Sequence, residues 1–563
     1  MDGGTAGLSR SGGICRVRKQ IALVLNFILL ILTVSLVLLL PRFTNPISCQ
    51  VAGEKEIEKI KKTCIEAETP FFTELAFSGE TLPYDKTNST FYLPLNMDRE
   101  EWERGELRSA AEGVSVLFTE RFTDTDKQEA IRSGREFAFY AVRGSEYQEC
   151  RLVVTGLSVL AIDTQEEADT EVFGGSIRVW DSSRKTDWTS SHILEAHIRG
   201  NTSRTYPKKG YKLMLKKQDR DGNVVSDKTS LLGLRNDDEW LLNAMYSDSS
   251  KIRDKLCAEL WQSFGASKTE FPDAYFGTRM TYVEVFFNQE YWGLYALMEP
   301  VDSRQLDLVK EGQGVQQEYS YKSVTPQDVP TETLLDQEAY GQSLAGFELK
   351  GTHTAIGRED WEPLLSYLSL RDLADEEEFC GKASLLTDRE GALDVWIYLQ
   401  AVLGIDNRGK NMYYVAKNRG SERKIYFAPW DMDLTWGDAL SEGTDGNIWT
   451  VGMNTALYSE RINWSFGDRL VELDVDGSRS YVSGRWKALR EGAFSDEALL
   501  ERIDALQREV QDSGALERDA ERWQESNTGQ DYELLGRMAV YRMQILDYYF
   551  QDHLSEYMGL GYE

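Results

Sequence analysis

The pattern of apolar and polar positions divides the chain into segments of different kinds. Residues 21–40 form an apolar run without a charged side chain. A helix of that length spans about 30 Å, the thickness of the hydrocarbon core of a bilayer. The run predicts a transmembrane anchor, and Arg16, Arg18 and Lys19 before it predict a cytoplasmic tail at 1–20. A cleaved signal peptide is the alternative, although its apolar region is usually shorter.

The segments after the anchor predict a stalk and an all-β domain. Residues 41–65 are rich in charge and poor in apolar positions, which is typical of a solvated spacer. Over 66–163, short β-branched and aromatic runs such as 90–95 and 137–142 alternate with polar turns. This alternation predicts a small β-sandwich of immunoglobulin-like type.

From residue 164 to 563 the pattern mixes strands with helices, and we predict an α+β domain. Residues 199–215 are predicted to form a hairpin, and a second hairpin is predicted over 281–299. Apolar positions three and four apart predict helices within a helix-rich part at 483–555.

Composition narrows the possible chemistry. The chain has a net charge of −30 and a pI near 4.7, which argues against a nucleic-acid partner because such partners require a basic surface. The six cysteines contain no C-x-x-C pair and the four histidines no H-E-x-x-H pair, so zinc chemistry and a histidine-based triad are not expected. A single disulfide, such as Cys49 to Cys64, is left open.

Two acidic clusters carry the clearest chemical signal. Asp406 and Asn411 lie five positions apart, the spacing at which a phosphoryl-transfer loop places a base and a metal-binding amide. Asp431 and Asp433 follow an apolar run, as further metal ligands would. Each cluster alone is also compatible with ordinary turn residues at the end of a strand.

A basic segment precedes these clusters by about 200 residues. Five cations lie within 14 positions of a very acidic chain: Arg199, Arg204, Lys208, Lys209 and Lys212. Strand alternation places Lys212 on the face of its strand opposite to that of Tyr211, as expected of a lysine that contacts phosphate. Glu259 on a later helix is a candidate partner for Lys212. A solvated basic hairpin and a surface glutamate are the alternatives. Neither a G-x-G-x-x-G nor a G-x-x-x-x-G-K-[ST] loop is present.

Five motifs, in this order, make residues 170–555 similar to the CotH kinase family, named for spore coat protein H. They are R-G-N-T-S-R-x-x-P-K-K-x-Y-K-L (199–213), L-L-G-L-x-x-x-x-x-W-L-L-N (231–243), V-E-V-F-x-N-x-x-Y-W-G-L-Y-x-L-x-E (283–299), D-x-x-x-x-N (406–411) and P-W-D-x-D (429–433). The resemblance implies an atypical two-lobed protein-kinase-like domain. It also implies transfer of the γ-phosphate of ATP to serine or threonine hydroxyls of a protein, with Mg²⁺ or Mn²⁺.

The resemblance assigns roles to individual positions. Asp406 would accept or orient the substrate hydroxyl. The metal ligands would be Asn411, Asp431 and Asp433, of which Asp431 also counts as catalytic. The nucleotide contacts would be Arg199, Lys212 (or Lys209 in its place) and, near the adenine, Glu299.

The combined expectation is a kinase anchored in the cell membrane by one helix, with the bulk of the chain outside the cytoplasm and a protein substrate at the cell envelope. A catalytically idle surface-binding protein of the same family is the alternative from another class. A kinase that acts on a cell-envelope polymer is the third reading.

Overall fold

The computed structural model describes residues 46–310, 316–351, 355–442, 448–524 and 531–560. The chain divides into two compact units, Met1–Val154 and Thr155–Glu563. The predicted tail at 1–20 and anchor at 21–40 lie outside the described residues. The boundary between the units comes before the predicted one at 163/164, because the strand that begins at Ser158 pairs within the second unit.

The first unit is built mainly of short strands. They are β1 Ile47–Ser48, β2 Ile65–Glu66, β3 Leu75–Phe77, β4 Glu80–Thr81, β5 Tyr84–Asp85, β6 Thr90–Pro94, β7 Gly105–Ser109, β8 Ser115–Phe118, β9 Glu136–Arg143 and β10 Glu146–Thr155. Its helices are α1 Glu54–Thr63 and α2 Lys127–Arg132. The strand orders are β1-β7-β3-β4 and β5-β6-β10-β9-β8, and β2 also pairs with β10. Phenylalanine rings such as Phe91, Phe118 and Phe139 pack between the strands.

The segment predicted as a stalk belongs to this unit. The charge-paired run forms α1, as its spacing suggests, but Ile60 is buried against Leu117, Tyr140 and Tyr147. On either side of α1, strand β1 pairs with β7 and strand β2 pairs with β10, so each belongs to one of the sheets. A charged helix with two apolar positions, Ile57 and Ile60, therefore packs on the domain and does not stand free of it. The described cysteines, Cys49 and Cys64 included, are free thiols.

The second unit begins with a sheet that closes on itself. Its strands are β11 Ser158–Thr164, β12 Val172–Trp180, β13 Thr189–Arg199, β14 Gly210–Gln218, β15 Val224–Ser226, β18 Glu239–Asn243, β21 Met280–Phe287 and β22 Glu290–Met298. The order is β13-β12-β11-β21-β22-β18-β14-β15, and β13 also pairs with β14. Short pairs outside this path are β16 Thr229–Ser230 with β17 Asn236–Asp237, and β19 Ser267–Lys268 with β20 Phe271–Tyr275.

Alternation along the strands explains the closed sheet. Tyr211, Leu213 and Leu215 of β14 are fully buried with apolar side chains from the other strands of the ring. Lys212 and Gly210 lie on the opposite face, as the predicted hairpin requires. The outward side of β22, with Leu294 among its residues, packs into the larger helical core.

A second sheet and most helices complete this unit. The strands are β23 Tyr319–Ser323, β24 Ser343–Leu344, β25 Phe347–Leu349, β26 Met412–Arg419 and β27 Glu422–Pro429, in the order β24-β25-β23-β26-β27, and β28 Asp438–Glu442 pairs with β29 Ile448–Met453. The helices are α3 Arg253–Gln262, α4 Thr331–Leu335, α5 Arg358–Arg371, α6 Glu376–Leu386, α7 Arg389–Val402, α8 Ser465–Glu472, α9 Ser478–Arg490, α10 Asp496–Gln511, α11 Ala515–Arg522, α12 Tyr532–Asp552 and α13 Leu554–Tyr557.

The structure is α+β, but the fold-class prediction is wrong in its further detail. Residues 155–563 form one compact unit that contains a closed sheet, where two kinase-like lobes were expected. The physical reason lies in α11, which packs on β22 and joins the C-terminal helices to the closed sheet. Asp519 of α11 makes a buried ion pair with Lys208 at 2.6 Å, and Arg518 binds the buried Glu284.

The membrane predictions also need correction. Among residues 46–310 and the later described ranges, no helix is both long and apolar enough to cross a membrane. The described residues therefore give no support to the predicted transmembrane helix or to the single-pass location in the cell membrane, and neither is proposed again. Residues 21–40, on which they were based, are not among those described.

Candidate functional site

The two acidic clusters meet at one end of the β26–β27 hairpin. Met412 pairs with Pro429, so the residues just outside this pair, Asn411 and Trp430, are neighbours. The backbone N–H of Trp430 donates to the carbonyl of Asn411 at 2.9 Å. Asn411 and Asp431 both adopt left-handed backbone angles, with φ of 59° and 58°. Asparagine and aspartate tolerate this region better than most residues, which explains their use at these turns.

Asp406 reaches the same place from a buried helix. Helix α7 is apolar and buried on nearly every side, and it ends at Leu403, which has a left-handed φ of 57°. A short 3₁₀ turn over Ile405–Asn407 then carries Asp406 toward the hairpin. The side chain of Asn407 donates to the carbonyl oxygens of Asn411 at 3.1 Å and Trp430 at 2.9 Å. Asn407 thereby holds both acidic segments in one arrangement.

Asp406 is partly buried and already has two donors. Its Oδ2 accepts a hydrogen bond from Asn411 Nδ2 at 3.0 Å and forms an ion pair with Lys410 Nζ at 2.9 Å. Burial raises the pKa of this carboxyl group, and the contact with Lys410 opposes the rise. The spacing of five that the sequence singled out therefore corresponds to a direct contact between the two side chains.

A third segment adds a carboxylate that sequence reasoning did not select. Asp254, in the first turn of α3, is 5% exposed and lies against the backbone N–H of Met432, at 3.2 Å, and Asn243 Nδ2, at 2.8 Å. Burial, reinforced by the negative charge of Asp431, raises the pKa of Asp254 to about 7. Asp254 lies in the segment I-R-D-K-L (252–256), outside the five motifs that carry the resemblance.

Asp433 completes the cluster. Its Oδ2 accepts a hydrogen bond from Ser247 Oγ at 3.0 Å. Burial raises the pKa of Asp433 well above its usual value, and the charges of Asp431, Asp254 and Asp406 add to that rise. Carboxylates that repel one another in this way have an excess of negative charge that a cation would relieve.

The donor set fits a hard divalent cation. Oxygen ligands suit Mg²⁺ and Mn²⁺. Within the described part of the chain, no three acidic, histidine or cysteine side chains are grouped so that they could hold a metal ion by themselves. Mg²⁺ usually takes one or two carboxylates and completes its shell with water and phosphate oxygens, which is what Asp431, Asp433 and the amide of Asn411 could offer.

The predicted basic counterpart is only partly present. The guanidinium carbon of Arg199 lies 5.7 Å from the centroid of the ring of Trp430, the residue that precedes Asp431. Lys212 instead pairs with Glu239 on the neighbouring strand at 2.8 Å, and Lys209 donates to the backbone of Arg204. Of the predicted phosphate contacts, the structure thus brings Arg199 to the acidic cluster and gives both lysines other partners.

The suggested lysine–glutamate pair is also absent. Glu259 of α3 binds Arg502 at 2.7 Å and not Lys212. Glu299, expected near adenine, is fully buried at the end of β22. Its carboxylate accepts from the backbone N–H of Arg235 at 2.8 Å and from Gln305 Nε2 at 3.1 Å. These contacts give Glu299 a role in holding the segment around Arg235 to the segment that follows β22.

A further cation lies at the cluster and was not predicted. Lys322 of β23 places its Nζ 5.7 Å from the centroid of the Trp430 ring. It falls in the polar stretch 316–342, which carried no motif. Only the pairing of β23 with β26 brings it to the site, and that pairing joins residues about 90 positions apart.

Comparison with known proteins supports the motif evidence. Residues 196–542 match the family model described as CotH kinase protein. This range covers more than half of the chain and includes both acidic clusters and the basic hairpin. No curated protein gives a significant match. Since the matched range covers more than half of the chain and contains the acidic cluster, the protein belongs to the CotH kinase family.

Proposed function

We propose that the protein is a metal-dependent kinase that transfers the γ-phosphate of ATP to a serine or threonine hydroxyl of a protein substrate. The observation that carries the proposal is the contact of Asp406 with Asn411 beside Asp431 and Asp433. Phosphoryl transfer requires positioning and charge neutralisation more than covalent chemistry. One partly buried cluster offers both a base and a cation site.

Each residue has a physical task in this proposal. Asp406 orients the attacking hydroxyl and accepts its proton, and Lys410 helps to keep that carboxylate ionised. Asn411, Asp431 and Asp433 would hold Mg²⁺ or Mn²⁺, which when bound neutralises phosphate charge. Asp254 accepts a hydrogen bond from the backbone N–H of Met432 and, when ionised, adds negative charge to the same cluster.

The test is phosphate transfer by the full-length chain. Labelled ATP, Mg²⁺ or Mn²⁺ and a serine-rich acceptor protein are incubated with wild type, Asp406→Asn and Asp431→Asn. We expect label on the acceptor with wild type, and a loss of about 10²–10³-fold or more in each variant. Ser190→Ala, on β13 away from the acidic segments, is the matched control and should retain transfer.

Two other outcomes would redirect the proposal. ATP binding without transfer to any protein, but with transfer to a cell-envelope polymer, would change the acceptor class and keep the chemistry. Absence of ATP binding in calorimetry would favour a catalytically idle binding protein of the same family.

A further inference from the structure

Two cationic side chains lie beside the ring of Trp430. Arg199 on β13 and Lys322 on β23 each lie 5.7 Å from the centroid of this ring. Among the described residues, neither side chain makes an ion pair. The contact with the ring face offsets only part of the cost of withdrawing a cation from water, since cation–π contacts contribute about 0.5–2 kcal/mol.

Lys322 is held on the face of its sheet that looks toward the acidic cluster. It pairs across strands with Tyr413, whose ring meets Trp430 edge-on at 5.9 Å. The adjacent Tyr321 points the other way and packs on Trp361 of α5. Strand alternation therefore fixes the direction of Lys322.

The other charges around Lys322 do not satisfy it. Glu348 lies opposite it on β25, but its carboxylate binds Lys350 at 3.3 Å. Asp431 acts on Lys322 through its charge without an ion pair. Burial lowers the pKa of Lys322, and the charge of Asp431 opposes that change. An anion between Lys322 and Arg199 would satisfy both cations.

We propose that Lys322, together with Arg199, binds the phosphate groups of the nucleotide, in the place that sequence reasoning gave to Lys212. The inference rests on the proposed kinase function and deepens it. A phosphate group beside Asp431 and Asp433, which would hold a divalent cation, would then meet positive charge from Lys322 on β23 and from Arg199 on β13. Lys212 remains paired with Glu239 and links two neighbouring strands of the closed sheet.

The experiment separates phosphate contacts from general binding. Affinities of the full-length chain for ATP and for adenosine are measured by calorimetry with Mg²⁺ or Mn²⁺, for wild type, Lys322→Met, Lys322→Arg and Lys212→Met. A charged hydrogen bond to phosphate contributes enough that its loss weakens binding about 10–100-fold. We expect that loss for ATP in Lys322→Met, with adenosine affinity unchanged.

The matched variants decide the interpretation. Lys322→Arg keeps a cation that can bind phosphate and should retain more ATP affinity than Lys322→Met, whereas Lys212→Met should match wild type. Equal loss of ATP and adenosine in Lys322→Met would indicate a structural role and overturn the inference. Unchanged ATP affinity in Lys322→Met, or a selective ATP loss in Lys212→Met, would overturn it as well.

Failure of the inference and failure of the proposed function are distinguishable. If Asp431→Asn abolishes phosphate transfer while Lys322→Met binds and uses ATP like wild type, only the inference falls. If wild type binds no ATP, both fall.

Discussion

Lys208 and Asp519 form an ion pair at 2.6 Å in the interior, although 311 residues separate them in the chain. Both side chains have no exposed surface, and Lys208 also donates to the carbonyl of Leu294. The same carboxylate oxygen of Asp519 accepts from the backbone N–H of Leu294 at 2.9 Å. This pair attaches helix α11 to the closed sheet, and it gives a basic residue of the conspicuous hairpin a structural role.

Breaking that pair should destabilise the second unit strongly. Lys208→Met removes the closer of the two buried cations at the Asp519 carboxylate and leaves Lys251 at 3.9 Å. Breaking a buried ion pair costs up to about 3–5 kcal/mol. The neighbouring Lys209→Met, at a half-buried side chain that donates to the carbonyl of Arg204 in an exposed hydrogen bond, should cost less than about 0.5 kcal/mol. Denaturant unfolding of the two variants measures the difference. Equal stability of the two variants would contradict the assignment.

The bridging amide of Asn407 should matter for both activity and local stability. Asn407→Ala removes the donor shared by the carbonyls of Asn411 and Trp430. The carbonyl of Trp430 then loses this hydrogen bond, and the carbonyl of Asn411 keeps the bond from the backbone N–H of Trp430. We expect about 1–3 kcal/mol of destabilisation and a fall in phosphate transfer, because the two acidic segments are no longer held together. Asn223→Ala, in an exposed turn, is the control. Normal transfer by Asn407→Ala would show that the bridge is not needed.

The charge at Asp254 should make stability depend on pH. In the folded chain its pKa is raised to about 7, so the folded state holds a proton that the unfolded chain has lost. Stability should therefore fall as pH rises from about 4 to about 7, and stay lower above that range. Asp254→Asn should lack this contribution and gain stability at pH 8 relative to wild type, with little change at pH 4. The measurement is thermal unfolding in the presence of a chelator. A gain that is the same at both pH values would contradict the raised pKa.

The position of β11 predicts which truncation folds. The chain 155–563 contains this strand, whereas 164–563, which starts at the boundary predicted from sequence, lacks nearly all of it. Because β11 lies between β12 and β21, its removal opens the closed sheet and leaves two unpaired edges. We expect cooperative thermal unfolding for 155–563 and aggregation or non-cooperative unfolding for 164–563. Equal behaviour of the two fragments would show that β11 is dispensable.

Several elements could be predicted from local patterns. The hairpins at 199–215 and 281–299 correspond to β13–β14 and β21–β22, and apolar spacing located α10 and α12. Alternation correctly assigned Tyr211 and Lys212 to opposite faces. These features depend on neighbours in sequence, where period and turn residues carry the information.

Pairings between distant segments could not be predicted in the same way. Glu259 on α3 was one candidate partner for Lys212, with a surface glutamate as the alternative, but the neighbouring strand β18 supplies Glu239 instead. Asp254 and Lys322 reach the acidic cluster only through α3 and through the pairing of β23 with β26. The charged helix at 54–63 gave no sign that Ile60 would anchor it to the first unit.

By itself, the sequence determined the family and the α+β character, and it identified Asp406, Asn411, Asp431 and Asp433 as candidate site residues. These features could be predicted because they are encoded in contiguous motifs and local patterns. The tertiary structure decided which cations face those residues, which lysines serve folding and where the first unit ends. The reason is physical: a charged side chain takes the partner that burial and strand register bring within reach, and register between distant strands is a property of the whole packed unit.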